Sequence, residues 1–104
     1  MNRVAFKMTL HRGQAGEYER RHAAIWPELA QLLKASGISD YSIFLDPETH
    51  QLFGVLHIAD RAKLGTLAHE PVMKRWWDHM NDIMECNPDN SPVSVPLKEV
   101  FYLP

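Results

Sequence analysis

Tyr18, His22 and Trp26 follow one another at intervals of four residues, so a helix through them stacks all three on one face, each about 6 Å beyond the last. The side chains are a phenol, an imidazole and an indole: a column of hydrogen-bonding aromatics where a core stripe would more usually carry Leu or Ile. Imidazole, with an unperturbed pKa of about 6.5, both gives and takes protons near neutrality, which is what general acid–base catalysis asks of a side chain. The residues alone leave two roles open for His22, a hydrogen-bonded structural histidine or a proton-transfer group.

A second aromatic element is Arg75-Trp76-Trp77-Asp78. It lies in Pro71 to Met84, where Val72, Met73, Trp76, Trp77, Met80, Ile83 and Met84 recur at the three-and-four spacing of a helix face. Adjacent helix residues point about 100° apart, so Trp76 and Trp77 cannot both look straight into one core. Either both are packed between sheet and partner subunit, or one of them faces a cavity.

Other chemistries find less support. The six histidines, His11, His22, His50, His57, His69 and His79, are scattered, with no pair at i, i+4 on one helix and no HExxH pattern, so no metal site is expected. Gly13, Gly16, Gly37, Gly54 and Gly65 are isolated and build no phosphate or dinucleotide cradle. Cys86 has no basic neighbour in sequence and reads as a small filler at a helix end. Chemistry without a cofactor is what remains. The run Glu17, Glu19, Arg20, Arg21 reads as a solvated helix face with i to i+4 partners. Arg21 and Arg75 could reach a ligand, but nothing in the sequence requires it. The loop Asn87 to Pro92 is a Pro-stiffened turn whose amide and carboxylate groups would also suit binding hydroxyls.

The chain has 104 residues, a formal charge of −2 and a pI near 6.3. That length suits one domain, 1–104. The mixed charges leave no basic block for nucleic acid or a membrane surface. No apolar run approaches the roughly 20 residues that span a bilayer, and the first residues lack the apolar core of a signal peptide. With a single cysteine besides, a soluble protein of the reducing cytoplasm is expected.

The elements that must hold the aromatic residues can be read from periodicity. Arg3 to Leu10 alternates, with Val4, Phe6 and Met8 on one side, as in a half-buried strand. Gln14 to Ser36 is helical and stops at Gly37, with Pro27 predicting a kink or restart beside Trp26. Tyr41, Ile43 and Leu45 alternate, Asp46 to His50 turns, and Leu52 to Ile58 resumes, making a hairpin. Asp60 reads as the N-cap of a short helix, Arg61 to His69, and Pro71 opens the tryptophan helix, expected to end near Cys86. Lys98 to Leu103 alternates as a last strand. The order β, α, β, β, α, β is that of an α+β, ferredoxin-like fold with an antiparallel sheet and helices on one face. Apolar residues on both sheet faces, such as Phe53, Val55, Leu56 and Ile58, predict a homodimer whose subunits cover each other's open face, with the C-terminal segment in the interface.

Taken together, Glu17-Tyr18-Glu19-Arg20-Arg21-His22, Ile25-Trp26-Pro27-Glu28-Leu29, Asp40-Tyr41-Ser42-Ile43, Arg75-Trp76-Trp77, Asn87-Pro88-Asp89-Asn90-Ser91-Pro92-Val93 and Glu99-Val100-Phe101-Tyr102-Leu103-Pro104 resemble the L-rhamnose mutarotase family. The match runs almost end to end and weakens at Thr9 to Gly16 and Ala59 to Glu70. The resemblance implies a dimeric α/β barrel of ferredoxin-like subunits that interconverts the α and β anomers of L-rhamnose. It further implies His22 as proton donor, Tyr18, Tyr41, Trp76 and Trp77 as sugar contacts, and no metal or organic cofactor. Mutarotation suits these residues physically, since a sugar pairs polar edges with apolar C–H faces that an indole can cover. The competing readings are a cofactor-free or haem-degrading monooxygenase on the same barrel, because one architecture hosts several functions, and a sugar-binding module without catalysis.

Overall fold

The computed structural model describes residues 2–104. Its elements run β1 (Asn2–Thr9), α1 (Ala15–Ala23), α2 (Pro27–Ala35), β2 (Ile38–Asp46), β3 (Gln51–Ile58), α3 (Ala62–Leu67), α4 (Pro71–Met80) and β4 (Val95–Leu97). The strands pair antiparallel in the order β2-β3-β1-β4, the order of the expected ferredoxin-like α+β fold. No described helix is long and apolar enough to cross a membrane.

Strand parity sorts the core. Val4, Phe6 and Met8 pair with Leu56, Gly54 and Leu52, and partners across an antiparallel ladder share a face. Along β3, Leu52, Gly54, Leu56 and Ile58 are buried while the residues between them are half-buried. That face meets Tyr18, Leu29, Trp76 and Met80 from the helices. Leu10, Leu29, Leu52 and Ile58 are nearly inaccessible, each such burial being worth about 1.5–3 kcal/mol.

A β-bulge in β2 decides where Tyr41 points. Ile38 pairs with Ile58 and Ile43 with Gly54, so β2 spends five steps where β3 spends four, the irregularity falling between Ser39 and Ser42. The extra residue lets both isoleucines face the helices. Asp40 takes φ 49° within the bulge, a left-handed conformation that Asp tolerates better than most residues. Tyr41 is thereby placed on the helix side of the sheet, where its ring meets Phe6 edge-on with centroids 6.3 Å apart.

The expected break beside Trp26 is present. α1 ends at Ala23, Trp26 has extended dihedrals of −61° and 130°, and Pro27 opens α2, where its missing N–H costs nothing. Gly37 follows α2 with φ 86°, a helix-ending conformation natural to glycine. Asp60 accepts from the Ala62 N–H at 3.0 Å, one residue ahead of the helix-flanking Arg61.

β2 begins at Ile38 rather than Tyr41 and α3 is trimmed to Ala62–Leu67, and two boundaries differ further from the sequence reading. The tryptophan helix stops at Met80 rather than near Cys86, because the chain leaves it to pair with the end of β1. The His11 N–H donates to the Ile83 carbonyl at 2.9 Å, the Glu85 N–H to the Thr9 carbonyl at 3.0 Å, and Leu10 bridges Met84. The last strand is Val95–Leu97, not Lys98 to Leu103. Pro96 is tolerated because β4 is an edge strand. Glu99 still falls opposite Arg3 and bonds it at 2.9 Å, but by Val100 the register has reached Asn2, the first described residue of β1, and the alternation beyond it has no strand opposite among the described residues. Val100, Phe101 and Leu103 are largely exposed, while Tyr102 lies under the Arg3 guanidinium, 3.5 Å from its ring centroid.

The opposite sheet face carries Ala5, Phe44, Phe53, Val55, Val95 and Leu97. None of these belongs to the core clusters, and Phe44 is 63% exposed.

Candidate active site

A cavity of about 1080 Å³ lies between the helices and the sheet. Tyr18 and His22 reach it from α1, Tyr41 from the β2 bulge, and Trp76 and Trp77 from α4, so the five residues singled out in the sequence line one space. Phe6, Met8, Leu52 and Leu56 supply an apolar floor, and Ser91, Pro92 and Ser94 close part of the rim.

His22 is held by its own helix. Its Nδ1 lies 3.0 Å from the Tyr18 carbonyl oxygen, and a carbonyl only accepts, so the proton sits on Nδ1 and Nε2 carries the free lone pair. The imidazole stacks on the Tyr18 ring at 4.3 Å and meets Trp76 edge-on at 5.4 Å. Burial pushes the His22 pKa below its ordinary value, opposed by the bond to Tyr18. At neutral pH the imidazole is therefore uncharged, with Nε2 as a proton acceptor.

The two phenols stay protonated. Burial raises Tyr18 strongly, with the nearby Tyr41 adding to the effect, and raises Tyr41 to about 12. Tyr41 keeps 38% of its surface accessible while lining the cavity. Both hydroxyls are suited to hydrogen bonding and poorly suited to ionising.

The tryptophans divide as adjacent helix residues must. Trp76 is 7% exposed and belongs to the core as well as the cavity wall, whereas Trp77 is half-buried. Trp26 does not continue the Tyr18–His22 column, because α1 has already ended. It joins through Trp76, whose ring it meets at 5.1 Å, and through His79 at 5.5 Å.

Two features were not legible as site structure. Arg21, read as part of a solvated face, keeps only 12% of its side chain exposed and binds Glu17 and Asp82. The Glu17 to Arg21 spacing was visible; Asp82, 61 residues away, was not. The loop after α4 consumes most of its polar groups internally: the Asn87 amide bonds Ser91 at 3.0 Å, the Ser91 hydroxyl bonds Asp89, and the Asn90 amide ties the loop to Asp78 at 2.8 Å. Of Asn87 to Pro92, only Ser91 and Pro92 line the cavity.

Fold and site together define a ferredoxin-like α+β protein with an aromatic, imidazole-bearing pocket between sheet and helices. A family model described as L-rhamnose mutarotase matches residues 3–103. The L-rhamnose mutarotase of Rhizobium meliloti is 58% identical over 103 residues, covering 99% of both chains. That of Bacteroides thetaiotaomicron is 53% identical with the same coverage. The crystal structure of the L-rhamnose mutarotase of Formosa agariphila superposes with a TM-score of 0.93 at 52% identity, over 100% of each chain. The chain belongs to the L-rhamnose mutarotase family. An antibiotic biosynthesis monooxygenase, 14% identical with a TM-score of 0.52 over 96% of this chain and 99% of its own, shares the fold alone.

Proposed function

We propose that the protein is an isomerase that interconverts the α and β anomers of L-rhamnose, with His22 as the proton-transfer group. The observation that carries this is the bond from His22 Nδ1 to the Tyr18 carbonyl, which leaves Nε2 as the proton acceptor in an aromatic cavity. In the pyranose, O1 and the ring oxygen O5 are both bonded to C1. Nε2 takes the O1–H proton as the C1–O5 bond breaks, the O1 electron pair forms the aldehyde, and the imidazolium delivers the same proton to O5. Rotation about C1–C2 presents the other aldehyde face, and the reverse steps close the ring. Only protons move, so atoms and charge balance. Tyr18 and Tyr41, un-ionised, hold sugar hydroxyls, while Trp77 and the exposed part of Trp76 cover the C–H faces.

The test is saturation of one anomeric proton of L-rhamnose by NMR with catalytic protein. Transfer to the other anomer above the spontaneous rate is expected, and no acceleration would overturn the reading.

The whole chain, 1–104, acts on this reading as one catalytic domain in the cytoplasm, where the free Cys86 stays reduced. The assembly proposed is a homodimer, closed into an α/β barrel through the apolar sheet face and the segment from Lys98 to Pro104. Phe44, Val95, Leu97, Val100, Phe101 and Leu103 are exposed apolar residues that a subunit interface would cover. Sedimentation should give twice the chain mass, and a well-folded monomer would refute the assembly.

A further inference from the structure

We propose that Arg21 is a positioning residue that fixes the rotation of α1, and hence the direction of His22 Nε2, by clamping this helix to the end of α4. The proposal rests on the mutarotase reading for its kinetic test, but its spectroscopic test is independent of it.

α1 has only nine residues and no side-chain N-cap. Helices this short have little intrinsic stability, so tertiary contacts must set their orientation. Tyr18 anchors one side of α1. Arg21 anchors another: its Nη1 donates to the His79 carbonyl at 2.7 Å and to Asp82 Oδ1 at 2.9 Å, its Nη2 to Asp82 Oδ2 at 3.2 Å, and its Nε to Glu17 Oε2 at 2.7 Å. The planar guanidinium satisfies all of these from one orientation, which a flexible ammonium cannot reproduce.

Both ends of the clamp adjoin the site. Arg21 precedes His22, and Glu17 precedes Tyr18, whose carbonyl holds the imidazole. On the other side, the His79 carbonyl lies in the last turn of α4, and the His79 ring packs 5.5 Å from Trp76, the indole that His22 meets edge-on. A cation at that helix end also complements the partial negative charge of its carbonyls. Arg20 makes the contrast: its side chain is 68% exposed and its bonds go only to Glu17 of the same helix, so it cannot relate one helix to another.

Displacing a reacting group by about 1 Å can cost on the order of 100-fold in rate. Arg21→Met should therefore lower kcat for L-rhamnose exchange about 10- to 100-fold with KM within a few-fold, at a temperature where circular dichroism shows it folded. Arg21→Lys should recover part of the loss, and Arg20→Met should match wild type. Proton NMR should find the His22 ring in contact with the Trp76 indole in wild type, where the centroids lie 5.4 Å apart, and should find that contact displaced in Arg21→Met, while the Nδ1–H tautomer, set within α1 by the Tyr18 carbonyl, stays the same in both. If Arg21→Met does not fold, Asp82→Asn, which removes only the charged two-point partner, takes its place with a smaller kcat loss expected. A folded variant with wild-type kcat and an unchanged His22–Trp76 contact would overturn the proposal, as would a loss that only follows the unfolded fraction. A wild-type protein that does not exchange anomers would instead sink the mutarotase reading, leaving the comparison of the His22–Trp76 contact to judge the clamp.

Discussion

The Tyr18 carbonyl oxygen lies 3.0 Å from His22 Nδ1, so the imidazole is oriented by the backbone of the residue whose ring it stacks on. The i to i+4 spacing that builds a helix turn thus also selects the tautomer. Burial against Tyr18 and Trp76 then keeps the ring neutral. A histidine held this way cannot use Nδ1 for chemistry, and Nε2 is left as its reactive atom.

His22→Ala should slow anomer exchange by about 100- to 10,000-fold, the usual worth of general acid–base assistance, while leaving the fold intact because the ring is only partly buried. Tyr18→Phe should cost less, since the phenol positions sugar without ionising. NMR saturation transfer measures both. A His22→Ala protein with wild-type exchange would move the role to another group, with Tyr41, which lines the same cavity, the first to examine.

The pH profile should be one-sided. A depressed folded pKa means the unfolded chain takes up the His22 proton first, so the stability tied to neutral His22 is complete above 6.5 and is lost as pH falls through the folded value. Activity should follow the same acid limb, with its midpoint below 6.5, because protonated Nε2 cannot accept. No alkaline limb should appear in the mildly basic range, as burial holds Tyr18 high and Tyr41 at about 12. Exchange rates across this range, corrected for the spontaneous reaction, supply the check. An acid midpoint at or above the ordinary histidine value would contradict the burial argument.

Trp76 and Trp77 should separate stability from binding. Trp76 is packed in the core, so Trp76→Ala should cost about 3–5 kcal/mol by urea unfolding, beyond any effect on the sugar. Half-buried Trp77 should lose mainly affinity, raising the dissociation constant several-fold with a smaller change in stability. Equal stability losses in the two variants would mean that the neighbouring indoles do not divide in this way.

How far the sequence foretold these arrangements depended on where each partner lies. Alternation in Arg3 to Leu10 and Leu52 to Ile58, and Pro27 beside Trp26, carry their structural meaning locally, and the order of elements along the chain could be read from such signals. The end of α4 was decided by competition, since Ile83 and Met84 fit the helix period yet pair with the end of β1. The alternation of Lys98 to Leu103 is real, but past Glu99 it runs beyond the described end of β1. Arg21 looked like its exposed neighbour Arg20 because its deciding partner, Asp82, is distant in sequence. The β2 bulge was invisible because parity between Ile38 and Ile43 matters only once β3 lies alongside.

Gly54 offers a last test, because the Phe6 ring, part of the cavity floor, packs directly against it. Glycine weakens a strand interior, so its presence in β3 calls for a close approach, and the Phe6 ring provides one. A Cβ built at Gly54 would lie 2.5 Å from Phe6 Cζ and 2.7 Å from Cε2, well inside contact distance. The ring must shift in response, and it is one of the side chains that line the cavity. Gly54→Ala should therefore cost about 1–3 kcal/mol, as overpacking usually does, and also weaken sugar binding by narrowing the site. In a Phe6→Ala background the same change meets no ring, and its cost in both measurements should largely disappear. Urea unfolding and sugar titration of the two single variants and the double variant complete the cycle. If Gly54→Ala costs as much with Phe6 removed as with it present, the clash is not the cause and the glycine is held for its backbone alone.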